Sequence, residues 1–244
     1  VWSMYDYNRG CCDNICYSGV ADIFRLPKFS LSFFRTQIAE GSMLPSGKMP
    51  YEVFIPAYRD EILSDTVMVY GNVDEVELVL NGKTIRRQTA DKGPDSDYIP
   101  VPNGGNGKNL HFPPFTFYGV SKERGVLKAV GYHQGKKVAE YTVKTPGVPE
   151  RLDITYFESG KPATKNDLLI VYVRMLDKQG VLCPVNGIPV ELSVQGGEIV
   201  GPTSYPLEAG VASFLVRTGE ISKININATG KGFSTRKSLK VGKE

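Results

Sequence analysis

Asp74-Glu75-Val76-Glu77-Leu78-Val79-Leu80-Asn81-Gly82-Lys83 is a strand that runs straight into a turn. Val76, Leu78 and Leu80 fall on alternate positions, the period of a strand with one buried face. Asn81-Gly82 follows at once. A type I′ hairpin turn needs positive φ at both central residues, and Asn-Gly adopts that conformation at low cost. The return strand is expected over residues 83–88. Working outward, residues 66–70 read as a preceding strand. Residues 126–132 read as a later one, turning through His133-Gln134-Gly135-Lys136 and returning through Val143. Short strands joined by tight turns over roughly 95 residues predict an immunoglobulin-like β-sandwich.

The pattern repeats after Thr145-Pro146-Gly147-Val148-Pro149, whose two prolines mark a stiff linker. Residues 152–157, 168–176, 190–194, 211–217 and 221–228 read as strands, with Asp177-Lys178-Gln179-Gly180 as a turn. Ile224-Asn225-Ile226-Asn227 alternates strictly, one face dry and one wet. Residues 231–243 carry scattered Lys and Arg and read as a solvated basic tail, with an anionic partner as the other reading.

Residues 1–48 have a different character. Val1-Trp2-Ser3-Met4-Tyr5-Asp6-Tyr7 predicts a short buried strand, and residues 8–19 a polar loop. Pro27 is tolerated at a first helical position. Phe29, Phe33, Phe34 and Ile38 then recur at helical spacing through Ala39, until Gly41 and Pro45 end the pattern. Strand, loop and helix make one βα unit, which needs a parallel sheet or barrel around it. The chain opens on Val1 with no leader pattern, so it reads as a cut through a larger protein.

Composition excludes several classes. The 244 residues are 41% hydrophobic and 23% charged, enough apolar mass to offset chain entropy. No apolar run reaches the roughly 18 to 20 residues of a membrane span. A net charge of +3 predicts no nucleic-acid partner. Cys11, Cys12, Cys16 and Cys183 are too few for a disulfide scaffold in a chain this long, and their spacing does not match a zinc site. Free thiols are expected. His111 and His133 are far apart and read as structural. Gly107-Lys108 lacks the rest of a phosphate-binding loop. No metal and no cofactor is expected.

Three stretches together resemble family 2 glycoside hydrolases, the family of β-galactosidases and β-glucuronidases. Val1-Trp2-Ser3-Met4-Tyr5-Asp6-Tyr7 resembles the eighth strand of the family's catalytic barrel. Gly19-Val20-Ala21-Asp22-Ile23-Phe24-Arg25-Leu26-Pro27-Lys28 resembles the run into its last helix. Asp74 to Lys83, Pro113-Pro114-Phe115-Thr116-Phe117, Leu127-Lys128-Ala129-Val130-Gly131-Tyr132 and Thr145-Pro146-Gly147 resemble the family's C-terminal sandwiches. The match covers about 140 residues well and the rest only in general style. It implies a mainly β fold: a TIM-barrel remnant over residues 1–48, then tandem immunoglobulin-like β-sandwiches over residues 49–147 and 148–244.

The resemblance also implies a parent enzyme that hydrolyses β-linked sugars with retention, which needs two carboxyl groups about 5 Å apart. In this family both are glutamates on earlier barrel strands. Asp6, Asp13, Asp22 and Glu40 match neither, so no catalytic residue is assigned and the fragment is expected to be inactive. Trp2 matches a family Trp that walls the sugar, because sugars pack apolar C–H faces on aromatic rings. Asn8 and Arg9, on the following loop, are the other candidate substrate-binding residues. Asp6 is expected to be a structural hydrogen-bond partner. β-Glucuronidases of the family carry Asn-x-Lys before the matching glycine to hold the sugar carboxylate. Cys16-Tyr17-Ser18 stands there instead, which implies a neutral sugar, galactose first.

The implied partner is a β-linked oligosaccharide or polysaccharide, bound through the parent barrel. A homo-oligomer is allowed, and a periplasmic or extracellular location is the family expectation. On this reading the sandwiches are structural support, with residues 1–45 packed against the first of them. The alternative is a carbohydrate- or protein-binding tandem sandwich module. Its binding residues would be exposed tyrosines among Tyr51, Tyr58, Tyr70, Tyr118, Tyr132, Tyr156, Tyr172 and Tyr205.

Overall fold

The computed structural model describes residues 3–10, 14–57, 65–91, 110–157 and 160–242. It is mostly β and divides into two compact units, Val1–Thr145 and Pro146–Glu244.

The first unit begins with β1 (Ser3–Tyr5), β2 (Tyr7–Asn8), β3 (Ile15–Cys16) and β4 (Gly19–Ala21). β1 and β4 pair in parallel, Ser3 opposite Gly19 and Tyr5 opposite Ala21. The expected loop over residues 8–19 contains a small hairpin, because Tyr7 and Asn8 pair with Cys16 and Ile15. The expected buried strand is exposed instead: Met4 is 64% and Tyr5 38% accessible, while β4 is buried along its length.

The helix α1 (Phe29–Thr36) is shorter than the 3–4 periodicity predicts. Pro27 precedes it rather than opening it. The Lys28 N–H bonds the Val20 carbonyl at 2.9 Å and Pro27 bridges Ala21, so this backbone is held extended against β4. At the other end the Gln37 carboxamide is captured by Phe112, donating to its carbonyl at 3.0 Å and accepting from its N–H at 3.1 Å. These tertiary bonds override the local helical pattern through Ala39.

Next come β5 (Met43–Leu44), β6 (Gly47–Lys48), β7 (Val53–Phe54), β8 (Val67–Gly71), β9 (Glu75–Leu80), β10 (Lys83–Thr89), β11 (Phe115–Phe117), β12 (Val126–His133) and β13 (Lys136–Lys144). β10-β9-β12-β13 form one antiparallel sheet and β11-β8-β7 the facing one. Val76, Leu78 and Leu80 point inward, as their alternation requires, onto a core with Val69, Phe115, Phe117 and Leu127. Asn81 and Gly82 take φ of 51° and 80°, the type I′ turn. The Asn81 side chain also ties the hairpin to β12, accepting from Val126 N–H at 2.8 Å and donating to the Arg124 carbonyl at 3.1 Å. As expected, α1 packs against this sandwich. Phe29 meets Phe54 at 5.6 Å between centroids, Phe33 meets Tyr70 edge-on at 5.0 Å, and Arg35 pairs with Glu52.

The second unit holds β14 (Arg151–Tyr156), β15 (Leu168–Leu176), β16 (Pro189–Gln195), β17 (Gly197–Ile199), β18 (Ser204–Pro206), β19 (Val211–Thr218), β20 (Lys223–Gly230) and β21 (Phe233–Lys240). Two antiparallel sheets, β14-β15-β19-β17 and β18-β16-β20-β21, enclose Ile154, Val171, Val173, Met175, Phe214, Ile224 and Ile226. β17, β18 and β21 go beyond the strands read from sequence. The third is a correction: most of the expected basic tail is a full strand paired to β20.

The residues after the linker proline are fixed by Asp177. Its buried carboxylate accepts from Gly147 N–H at 2.7 Å and from Val181 N–H at 2.8 Å. Burial opposes ionisation here, but the backbone N–H groups of Gly147, Val181, Gln179 and Gly180 outweigh it and hold the carboxyl below its usual range.

Candidate functional site

Asp6 leaves β1 pointing inward, its side chain 3% exposed. Its Oδ1 accepts from the Gly19 N–H at 2.9 Å and from Lys28 Nζ at 2.6 Å. Lys28 also donates to the Tyr17 carbonyl at 3.1 Å and lies 5.9 Å from the Tyr17 ring centroid. One ion pair therefore joins the end of β1, the turn before β4 and the start of α1. The close approach of β1 needs glycine at position 19, since a Cβ there would overlap the backbone of Tyr5 and Asp6. Asp6 is thus a structural partner. Removing it would leave Lys28 unpaired in a partly buried position.

Asp22 is held within its own turn, accepting from the Leu26 N–H at 2.8 Å. Burial first, with the Asp6 charge adding, raises its carboxyl above the ordinary range, while the backbone N–H groups of Leu26 and Phe24 and the Lys28 charge oppose this. Both carboxylates are already committed to holding backbone.

Of the candidate substrate-binding residues, Trp2 lies outside the described residues. Asn8 and Arg9 are exposed on the β2–β3 hairpin. Asn8 Oδ1 accepts from Gly10 N–H at 3.0 Å, and Arg9 N–H donates to the Asn14 carbonyl at 3.3 Å. Sequence reading missed their neighbour. Cys16 sits half-buried across from Tyr7, its thiol 3.4 Å from the Ser18 hydroxyl. Hydrogen bonds from Ser18, then Tyr7, with Arg9 adding, outweigh desolvation and lower the thiol to about 7. The signal available in the sequence was the Cys-Tyr-Ser triplet where the family resemblance expects Asn-x-Lys. Cys11, Cys12, Asp13 and most of the loop over residues 91–108 lie outside the described residues.

Several of the tyrosines offered as sugar platforms are engaged within the unit that holds them. Tyr172 is buried; Tyr70 packs on Phe33, and Tyr205 on Phe214 at 5.5 Å. Tyr132 lies under the Arg87 guanidinium at 3.7 Å and donates to Glu77 at 2.7 Å. Tyr58 lies outside the described residues. His133 is structural as expected, stacked on Tyr51 and 3.1 Å from Asp74. Among the described residues no group of His, Cys, Asp and Glu could hold a metal ion, and no helix is long and apolar enough to cross a membrane.

Residues 64–139 match the family described as a domain of unknown function, DUF4982. The chain is 33% identical to a β-galactosidase of Thermoanaerobacter pseudethanolicus, over 89% of this chain and 29% of that protein. It is 30% identical to a β-galactosidase of Rhizobium radiobacter, over 52% of this chain and 92% of that protein. Among solved structures, a β-glucuronidase from glycoside hydrolase family 2 superposes with a TM-score of 0.76 at 21% identity, covering 98% of this chain and 24% of that one. A β-glycosidase from Bacteroides vulgatus gives 0.75 at 16% identity, over 98% of this chain and 30% of that one. The chain spans less than a third of the Thermoanaerobacter relative. Barrel-end motifs, sandwich fold and sequence identity agree, and the chain belongs to glycoside hydrolase family 2.

Proposed function

We propose that this chain is the C-terminal accessory region of a retaining glycoside hydrolase that acts on β-linked neutral sugars in the manner of a β-galactosidase. In this reading residues 1–48 close the catalytic barrel, residues 49–147 and 148–244 are supporting sandwiches, and the catalytic carboxyl pair lies on strands outside the chain. The parent works in the periplasm or outside the cell.

The observation that carries the reading is the parallel β1–β4 pair. Parallel sheets are covered on both faces by the elements that connect them. Among the described residues this pair has two strands, with Met4, Tyr5, Tyr17 and Ile23 exposed around it. Such an arrangement is satisfied when further parallel strands and helices continue it, as in a (β/α)8 barrel. The commitment of Asp6 to Lys28 and of Asp22 to Leu26 supports the absence of a catalytic pair here. The Cys16-Tyr17-Ser18 triplet supports a neutral sugar: it supplies no cation of its own, and Lys28 beside it is engaged by Asp6.

Sequencing the coding region upstream of Val1 tests the reading. Two glutamates at the ends of barrel-type strands within the preceding few hundred residues are expected. An upstream region without βα repeats would overturn it.

A further inference from the structure

The outward face of the sheet β18-β16-β20-β21 carries a second kind of surface. Inward positions of β20 are Ile224, Ile226 and Ala228, all buried, so Lys223, Asn225, Asn227 and Thr229 point outward. The register sets Lys240 opposite Lys223, Ser238 opposite Asn225 and Arg236 opposite Asn227. On the other side Gln195 lies opposite Asn225 and Ser193 opposite Asn227. Glu191, exposed and opposite Thr229, puts one carboxylate at the end of the face away from the Lys223–Lys240 pair. The result is a field of amides and hydroxyls crossed by cations. Ser238 donates to Asn225 Oδ1 at 2.6 Å, which orients that amide.

Two features separate this face from ordinary solvated surface. Residues 223–242 hold Lys223, Lys231, Arg236, Lys237 and Lys240, and no acidic residue. Among the described residues, none of the ion pairs involves Lys223, Arg236 or Lys240. Secondly, Lys223 and Lys240 stand directly opposite each other, an arrangement that destabilises a strand pair. A local conflict of this kind, with no ion pair offsetting it among the described residues, points to a partner outside the fold.

We propose that this face binds a uronate-bearing polysaccharide, its carboxylates on Arg236 and the Lys223–Lys240 pair and its hydroxyls on the Asn, Gln and Ser side chains between them. Arg236 and Lys240 are four residues apart on one strand, about 13 Å, so the cations are set along an extended chain rather than around one point. Guanidinium suits a planar carboxylate through paired N–H donors. The face offers no aromatic ring for base stacking, which single-stranded nucleic acid would use. The ligand class rests on membership of a glycoside hydrolase family, and the role goes beyond support. The accessory sandwich would hold the acidic backbone of a polymer whose neutral residues the parent enzyme removes.

Binding of the 244-residue chain to polygalacturonate, a neutral galactan, double-stranded DNA and anionic phospholipid vesicles tests this by titration. Polygalacturonate is expected to bind and neutral galactan not to. The affinity should fall about tenfold between about 0.03 M and about 0.3 M salt, as the pairing is exposed and screened. Combining Lys223→Gln, Arg236→Gln and Lys240→Gln should weaken binding by about tenfold or more. Equal neutralisation elsewhere, by Lys48→Gln, Lys136→Gln and Lys144→Gln, should leave it unchanged. Lys240→Glu should raise the Tm, by giving Lys223 an opposite charge across the pair, and lower the affinity in the same molecule. Lack of binding to polygalacturonate at low salt, a triple variant that binds like the parent, or equal or tighter binding to DNA or vesicles would each overturn the proposal. Because binding rather than turnover is read, this test fails independently of the upstream sequence.

Discussion

Residues 3–43 and the second sandwich differ in how much apolar surface they enclose. In the sandwich Met175, Phe214, Ile224 and Ile226 are at most 1% exposed, and the outward positions of β16, β20 and β21 are almost all polar or charged: Ser, Thr, Asn, Gln, Lys, Arg and Glu191. Among the described residues of 3–43 the most deeply enclosed charged side chain is a carboxylate, Asp6, while Met4, Tyr17 and Met43 are 64%, 68% and 75% exposed. The sandwich closes its own apolar surface between two sheets, so its stability comes from burial. The barrel-end segment is held by a few polar ties and by α1 docking on the first sandwich. The difference separates a region held by a closed apolar core from one held by polar ties with apolar side chains left exposed, the contrast on which the proposed barrel-end role rests.

The comparison breaks first in the core. Phe214→Ala in the second unit should cost about 4 kcal/mol, through lost burial and the cavity left behind, measured by urea unfolding followed by fluorescence. A cost under about 1 kcal/mol would mean that the sandwich is not held by that core. Asp6→Ala should cost the first unit about 3 kcal/mol, because Lys28 and the Gly19 N–H lose their shared acceptor. Hydrogen exchange at the Gly19 amide should accelerate, with the second unit unaffected. Unchanged exchange at Gly19 would remove the ion pair from the account of how β1 meets β4.

Smaller effects sharpen the contrast through pH. The Asp177 carboxyl is lowered on folding, so its contribution is present above the ordinary carboxylate range, around pH 4, and is lost as pH falls through the folded value. The Tm of the chain should therefore drop on acidification below about pH 4, and less steeply in Asp177→Asn. Identical acid limbs would refute the role of Asp177. The two described cysteines should differ as their surroundings do. Cys16 titrates near 7 and is half-buried, whereas burial raises the thiol of Cys183. Iodoacetamide should label Cys16 in the native state, with a rate rising through pH 7, and reach Cys183 on unfolding. Equal labelling of both in the native state would contradict this.

Some of the fold was legible because its causes are local. Asn81-Gly82 specifies its turn through backbone conformation, Asp177 to Gly180 through that and the Asp177 carboxylate on the Val181 N–H, and Ile224-Asn225-Ile226-Asn227 shows its two faces directly. β21 was hidden because one of its inward-side positions is Lys237, which places its ammonium 5.5 Å from the Tyr156 ring centroid while neighbouring Leu239 packs on the core. A lysine whose stem lies along apolar surface disguises the strand alternation. The ends of α1 were hidden for another reason: Lys28 bonds Val20 and Gln37 bonds Phe112, and the second contact spans 75 residues. At the candidate site the structural role of Asp6 was legible, but its partner, 22 residues away, was not. Of the residues proposed to meet sugar, Asn8 and Arg9 are on an exposed hairpin, and Trp2 lies beyond the described residues.

Hydrolysis of aryl β-galactoside and aryl β-glucuronide by the purified 244-residue chain tests the central claim most directly. No release of the aryl group above the uncatalysed rate is expected with either substrate, because Asp6 and Asp22 are occupied by Lys28 and Leu26. Sustained turnover of either substrate, abolished by Asp6→Asn or Asp22→Asn, would place a catalytic carboxylate within these residues and contradict an accessory role.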